Sequence, residues 1–257
     1  MSRRTQFGIA LSLLLLTGML LLAVQMLKHV SSRNARFEQS FPIMGTVAKF
    51  TFFSSAENSQ KAATVAREVF EKVQNLCNLY DPVSELARLN ASAAIAPFKC
   101  SPELWFLLLE SRKAYAFSDG AFDISAKPLL DLWGFYRKRG DSLPTEREIA
   151  DAKAKVGLDK VVFNERKRSV KFTVSGMSFD LGGIAKGYAV DRAYEAVLKL
   201  GIRRGVIDLG GNLRLFPEPP IGQVAYRVGV KNPTNSGELL NEVLQLCDIS
   251  LSTSGNY

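Results

Sequence analysis

The stretch FDLGGIAKGYAVDRAYEAVLKLG, Phe179 to Gly201, constrains the fold most, because it joins a predicted strand end, a glycine pair and a helix carrying a lysine one turn in. Met177 to Leu181 predicts a short strand that Gly182 and Gly183 break. Ala185, Tyr188, Ala189, Ala193, Ala196, Val197 and Leu200 then recur at helical spacing until Gly201 stops them. That order is the layout of a phosphate-handling site. Glycines let backbone approach a ligand closely, and a helix N-terminus offers N–H groups and partial positive charge to an anion. Lys186 adds a mobile full charge. The same spacing also fits an ordinary turn between a strand and a helix.

Neither familiar nucleotide loop is present. GGIAKG lacks the GxxxxGK order followed by Ser or Thr, and its glycines are out of register for GxGxxG. A second DLGG, Asp208 to Gly211, follows Val206 and Ile207 and opens into Asn212. Two strand-end aspartates before glycine pairs suit α/β sheets, which bind ligands at strand ends.

Further segments extend the pattern: PIMGT (Pro42 to Thr46), YDPVSELARLN (Tyr80 to Asn90), GAFDISAKPLLDLWGF (Gly120 to Phe135), DLGGIAKGYAVD (Asp180 to Asp191), DLGGN (Asp208 to Asn212) and TSGNY (Thr253 to Tyr257). Together, and in this order, they resemble the FAD:protein FMN transferases, the ApbE-like flavin transferases. The resemblance implies a magnesium-dependent enzyme. Such an enzyme cleaves the pyrophosphate of FAD, releases AMP and attaches FMN through its phosphate to a Thr or Ser hydroxyl of an acceptor protein. Phosphoryl transfer needs positioning and charge neutralisation more than covalent side-chain chemistry, which suits glycine turns, a helix start, a lysine and Mg2+.

By the same resemblance, Met44 lies against FAD and Tyr80 packs on it, with Ala121, Phe122, Asp123, Asp180 and Lys186 as further FAD contacts. Gly183 matches the position whose backbone carbonyl contributes to the magnesium. Asp208, Gly210 and Gly211 shape the site. Each has a plainer reading from the residues alone: Tyr80 ends a helix before Asp81 and Pro82, Phe122 is core, and Asp123 caps a helix before Ile124. Family members continue beyond the TSGNY element into an HxxDPxTG-like motif and later metal ligands, so the transferase domain is expected to be incomplete at its C-terminus. The one histidine, His29, lies beside the N-terminal apolar run. An FAD-splitting hydrolase and a membrane-anchored FAD-binding flavoprotein remain as alternatives.

The N-terminal run, Phe7 to Leu27, is interrupted only by small or weakly polar residues and is long enough to cross a bilayer, which takes about 20 residues. Its exit, Gln25 to Val30, lacks the small residues of a cleavage site, so an uncleaved signal anchor is expected. Arginines and lysines flank both ends and leave orientation open; the family resemblance implies the cytoplasmic (inner) membrane with the catalytic domain on the periplasmic side. Five basic residues and no acids precede Phe37, leaving 28 of the 33 basic residues against all 25 acids, a net +3 of the chain's +8. That near balance gives no footprint for nucleic-acid binding. Cys77, Cys100 and Cys247 are scattered, with neither metal spacing nor a disulfide framework. Cys77 sits on an apolar helical face and reads as a buried thiol, with one disulfide left open.

At 257 residues and 47% hydrophobic content the chain can bury a sizeable core. The expected organisation is an anchor and polar tether over residues 1–36 and a transferase domain over 37–257. Helices are predicted at Glu57 to Leu79, Pro102 to Phe117 and Thr145 to Val156. Strands are predicted at Thr46 to Phe53, Val161 to Phe163, Val170 to Val174, Met177 to Leu181, Gly205 to Leu209, Val224 to Val230 and Val243 to Leu246, with Ser175 and Gly176 turning a hairpin. The tether is expected to run on to Gln39. Helices between strands, mixed with hairpins, indicate an α+β fold: a mixed sheet and helix sandwich of the flavin transferase type, preceded by one transmembrane or signal-anchor helix.

Overall fold

The computed structural model describes residues 18–22, 35–136, 140, 142–233 and 238–254. Residues 18–22 are helical (α1), with Met19, Leu20, Leu21 and Leu22 exposed. The rest of the predicted anchor, and His29, lie outside the described residues. Among the described residues, no helix is long and apolar enough to cross a membrane.

The described chain forms two compact units. The first ends one segment at Pro42, then takes Val47–Ala66 and Ala193 onward. Its sheet has the order β1-β2-β6-β7-β10, from Arg36–Ile43, Thr46–Phe53, Gly205–Leu209, Asn212–Leu215 and Ser250–Ser252. Ala48, Phe50 and Phe52 alternate inward on β2 and lie in antiparallel register with Leu209, Ile207 and Gly205. Their faces meet Phe41 and Phe216, and Phe50 and Phe52 have no solvent exposure. Each such ring stabilises the fold by about 1.5 to 3 kcal/mol relative to exposure. β8 (Tyr226–Lys231) and β9 (Leu239–Leu246) form a separate antiparallel pair.

The expected tether to Gln39 is wrong over its last residues: Arg36–Ile43 is the edge strand β1. Its polar composition belongs to the outward face of an alternating strand. Phe41 and Ile43 are buried, whereas Glu38 pairs with Arg36 (2.7 Å) and with Lys49 (3.2 Å). Charges on an edge also discourage pairing with other chains.

The second unit takes Ile43–Thr46 and Arg67–Arg192. Its helices are α3 (Glu85–Ser92), α4 (Pro102–Phe117), α5 (Lys127–Leu132) and α6 (Glu146–Lys153), and its sheet has the order β3-β5-β4, from Phe98–Lys99, Ser169–Phe172 and Val161–Asn164. Two longer helices, α2 (Ala56–Cys77) and α7 (Gly182–Lys199), have residues in both units. The predicted caps form: Ser101 accepts from the Leu104 N–H, and Thr145 and Glu148 make the reciprocal capping box. Short helices α3 and α5 escaped prediction.

The predicted strand Met177 to Leu181 does not form, and neither does its hairpin. β5 pairs instead with β4 and β3. The reason is local. The Asn90 side chain accepts from the Phe179 N–H (2.7 Å) and donates to the Phe179 carbonyl (2.9 Å), replacing the two bonds a neighbouring strand would make. The Asp180 N–H donates to the Ile124 carbonyl (2.8 Å). An extended segment is thus held at α7's start without joining a sheet.

Candidate functional site

Asp180 is the hub. Its Oδ1 accepts from the Gly182 N–H (2.7 Å), which fixes the carboxylate over the first turn of α7, and its Oδ2 accepts from the Tyr136 hydroxyl. The glycine pair is required by close approach. A Cβ on Gly182 would lie 3.1 Å from Asp180 Oδ1, and one on Gly183 would lie 3.0 Å from Phe122 Cε2. Half-buried Phe122 therefore rests against the helix start rather than in the core. One turn on, Lys186 Nζ donates to the Gly182 carbonyl (3.2 Å), keeping its charge beside the same turn.

Tyr136 links this helix start to Tyr80. The two rings meet edge-on with centroids 6.2 Å apart, and Lys127 Nζ lies 5.1 Å from the Tyr136 ring centre while pairing with Asp131 (2.6 Å). Burial, then the adjoining Asp180 carboxylate, raises the Tyr136 phenol above the usual tyrosine range, so it remains a proton donor to that carboxylate at ordinary pH. Tyr80 follows α2 by three residues and is 74% exposed, its N–H tied to Asn78 Oδ1 (3.0 Å). An exposed ring on a fixed backbone offers a flat apolar surface beside an anion-compatible helix start.

Met44 occupies a left-handed backbone conformation, φ 50, followed by Gly45 at φ 70, in the two-residue turn between β1 and β2. A methionine there costs about 1 to 2 kcal/mol, and its N–H is held by Gln74 Oε1 (2.8 Å). Strain of this kind, maintained by a specific partner, points to a placed side chain. Asp123 takes the plainer role. Its Oδ1 accepts from the N–H and the hydroxyl of Ser125 (both 2.7 Å), capping a short 3-10 turn, Ile124–Ala126. Ala121 is exposed, with its N–H on the Ser118 carbonyl (3.1 Å).

Asp180, Gly183, Phe122 and Lys186 are thus brought together, with Tyr80 joined through Tyr136. Asp123 supports them through neighbouring Ile124. The bonds of Met44 and Ala121 run elsewhere. Sequence reasoning missed Tyr136, Lys127, Gln74 and the clamp by Asn90; Tyr136 directly follows LWGF, and Asn90 closes the Tyr80 segment, which were the available signals. In the first unit, Asp208 Oδ1 accepts from the Gly211 N–H (2.9 Å) across the β6–β7 turn. All three cysteines are free, and burial above all pushes the Cys77 and Cys100 thiols up to about 12, leaving them unreactive at neutral pH.

Among the described residues, no three His, Cys, Asp or Glu side chains cluster as a metal site. The oxygens at the start of α7 are the Asp180 carboxylate and the first backbone carbonyls, those of Gly182 and Gly183. Magnesium takes oxygen ligands and usually keeps water and substrate phosphates with few protein groups, so this sparse set fits it.

Similarity to known proteins identifies the family. The chain is 28% identical over 209 residues to the FAD:protein FMN transferase of Haemophilus influenzae, covering 79% of this chain and 60% of that protein. It is 30% identical over 185 residues to the FAD:protein FMN transferase of Salmonella typhimurium, covering 71% and 53%. The chain therefore spans less than two thirds of these relatives' length. The solved flavin transferase ApbE of Vibrio cholerae superposes with a TM-score of 0.79 at 26% identity, over 87% of this chain and 72% of that one. Residues 44–257 match the ApbE family, and the chain belongs to it.

Proposed function

We propose that this protein transfers FMN from FAD to a Thr or Ser hydroxyl of an acceptor protein, forming a phosphoester and releasing AMP, in a magnesium-dependent reaction. The observation that carries the reading is the adjacency of an exposed aromatic ring, Tyr80 against half-buried Tyr136, to the glycine start of α7 with Asp180 and Lys186. FAD has that two-part chemistry, a flat conjugated ring and a pyrophosphate. The relatives named as FAD:protein FMN transferases support the choice of FAD.

In this reading Tyr80 stacks on the conjugated ring, which adds about 0.5 to 1.5 kcal/mol beyond area burial. Met44 packs against FAD as well, and Ala121 and Phe122 flank it, with Asp123 holding that segment. The N-terminal turn of α7 and the Lys186 ammonium offset the charge of the pyrophosphate. The acceptor oxygen bonds to the FMN phosphorus, the bond from that phosphorus to the bridging oxygen breaks, and AMP leaves while the hydroxyl proton is released. Magnesium, when bound, would add charge neutralisation, with the Gly183 carbonyl as its protein donor. Residues 1–36 would hold the protein in the cytoplasmic membrane with this domain on the periplasmic side, on the strength of the apolar run Phe7 to Leu27.

The test is to incubate the full chain with FAD, magnesium and a Thr-containing acceptor protein, then measure acceptor-bound flavin fluorescence and AMP together. Both should rise in step and vanish with a chelator. AMP released without flavin on the acceptor would identify an FAD hydrolase. FAD bound without any AMP would identify a binding protein. Recovery of the full chain from the soluble fraction would remove the anchor.

A further inference from the structure

The β4–β5 hairpin carries a concentration of charge that the flavin reading does not use. Pro97, Lys99, Arg166, Lys167, Arg168 and Ser169 line a cleft of about 460 Å³, so four cations and no acid face one space. None of the four side chains has a hydrogen bond or ion pair among the described residues. Several cations elsewhere are matched: Arg67 with Glu71, Lys113 with Glu110, Lys127 with Asp131, Arg203 and Arg204 with Glu218, and Arg214 with Asp248. The hairpin's own acid, Glu165, faces Arg112 (3.6 Å) instead.

The imbalance is large for the domain. From Asn164 to Lys171 there are four basic residues, Arg166, Lys167, Arg168 and Lys171, against Glu165. That net +3 equals the whole excess from Phe37 onward. Like charges within a Debye length of about 8 Å repel at physiological salt, so an unmatched set is a standing cost that a bound anion removes. The backbone holds the display in place: the Lys167 N–H donates to Asn164 Oδ1 (3.0 Å), Arg168 sits at φ 48, and its carbonyl accepts from the Cys100 N–H (2.8 Å).

We propose that this cleft is a second anion site, which binds a phosphate-bearing group independently of FAD. Arg forks match phosphate oxygens bidentately and Lys adds point charge, the combination that selects phosphate over a lone carboxylate. The volume suits a small ligand or a lipid headgroup, since small-molecule pockets run from about 300 to 1,000 Å³. No residue of the cleft belongs to the cluster around Asp180.

The experiment uses the full chain in neutral detergent micelles at low ionic strength. One arm titrates inorganic pyrophosphate, and the other dopes the micelles with phosphatidylglycerol; amide shifts of the hairpin report binding in each. The double variant Arg166→Gln/Lys167→Gln should weaken binding by about tenfold or more, and the charge-conserving Arg166→Lys/Lys167→Arg should retain most of it. Both exchanges fall at exposed turn positions. Loss in the doped arm alone would support the site with lipid as its source, loss in the pyrophosphate arm alone a soluble phosphate, and loss in both the shared chemistry. Equal binding by the double variant and the parent in both arms would overturn the proposal, as would displacement of the hairpin-bound probe by FAD.

Discussion

The four letters DLGG occur twice and build different structures. At Asp180 to Gly183 they lead into α7, whose first two residues are the glycines, and both are called for by neighbours: the Asp180 carboxylate and the Phe122 ring stand where a Cβ would go. At Asp208 to Gly211 they close the β6–β7 hairpin, with Gly210 at φ 59 and Gly211 at φ 85. Both central residues of such a two-residue turn need positive φ, the type I′ geometry. The aspartates differ to match. Asp180 receives hydrogen bonds from its own helix start and from Tyr136, whereas the Asp208 carboxylate accepts across its own turn. The context after the glycines decides: IAKGYAVD continues at helical spacing, and NLRL alternates. A repeated motif therefore marks one helix start and one hairpin turn.

The comparison breaks first at the glycines. Gly211→Val puts a β-branched residue in the left-handed region, with its Cβ 3.1 Å from the Thr253 carbonyl. We expect a loss of about 2 to 4 kcal/mol in urea unfolding, with little change in FAD affinity of the folded protein. Gly183→Ala should behave in the opposite way. Alanine's better helix propensity, about 1 kcal/mol, is offset by the shift forced on Phe122, leaving stability within about 1 kcal/mol while FAD binding falls. Equal stability losses at the two positions would show that both glycines serve turns.

Next in size is Tyr80→Ala, expected to weaken FAD binding by about 1 to 3 kcal/mol through loss of the aromatic contact. A fluorescence titration giving unchanged affinity would return Tyr80 to the role of an exposed residue after a helix. Tyr136→Phe removes one hydrogen bond to a carboxylate and should cost about 1 kcal/mol or somewhat more in stability. Because the free phenol titrates near 10 and burial beside Asp180 raises it in the fold, its contribution is complete below pH 10 and declines above it. The parent should thus lose stability relative to Tyr136→Phe as pH passes 10, and a constant difference would contradict the Tyr136–Asp180 bond.

What the sequence revealed follows from the range of each interaction. Helical spacing in α2, α4 and α7 and the Thr145 capping box depend on residues a few places apart, and these were legible. The edge strand β1 was hidden because its outward face is polar, so composition read as tether. Met177 to Leu181 read as strand because extended apolar residues usually pair; only the fold brings Asn90 to satisfy Phe179. The candidate site was legible through family resemblance at Asp180, Gly183 and Lys186. Tyr136 was not, since its role depends on Asp180, far along the chain.

The smallest effect tests the second DLGG by itself. Burial above all raises the Asp208 carboxyl from 3.8, against the lowering by the Gly211 N–H and Lys49. For an acid raised in the fold, the unfolded chain gives up its proton first as pH rises. The native state is thus favoured most below the unfolded value and loses that advantage as pH climbs through the folded one. Asp208→Asn keeps an oxygen for the Gly211 N–H but cannot ionise, so its stability relative to the parent should increase from pH 4 to pH 7. Urea midpoints at the two pH values measure this directly. If the parent instead gained on the variant over that interval, the hydrogen bond and Lys49 would outweigh burial, and Asp208 would be a charge the hairpin is built to hold.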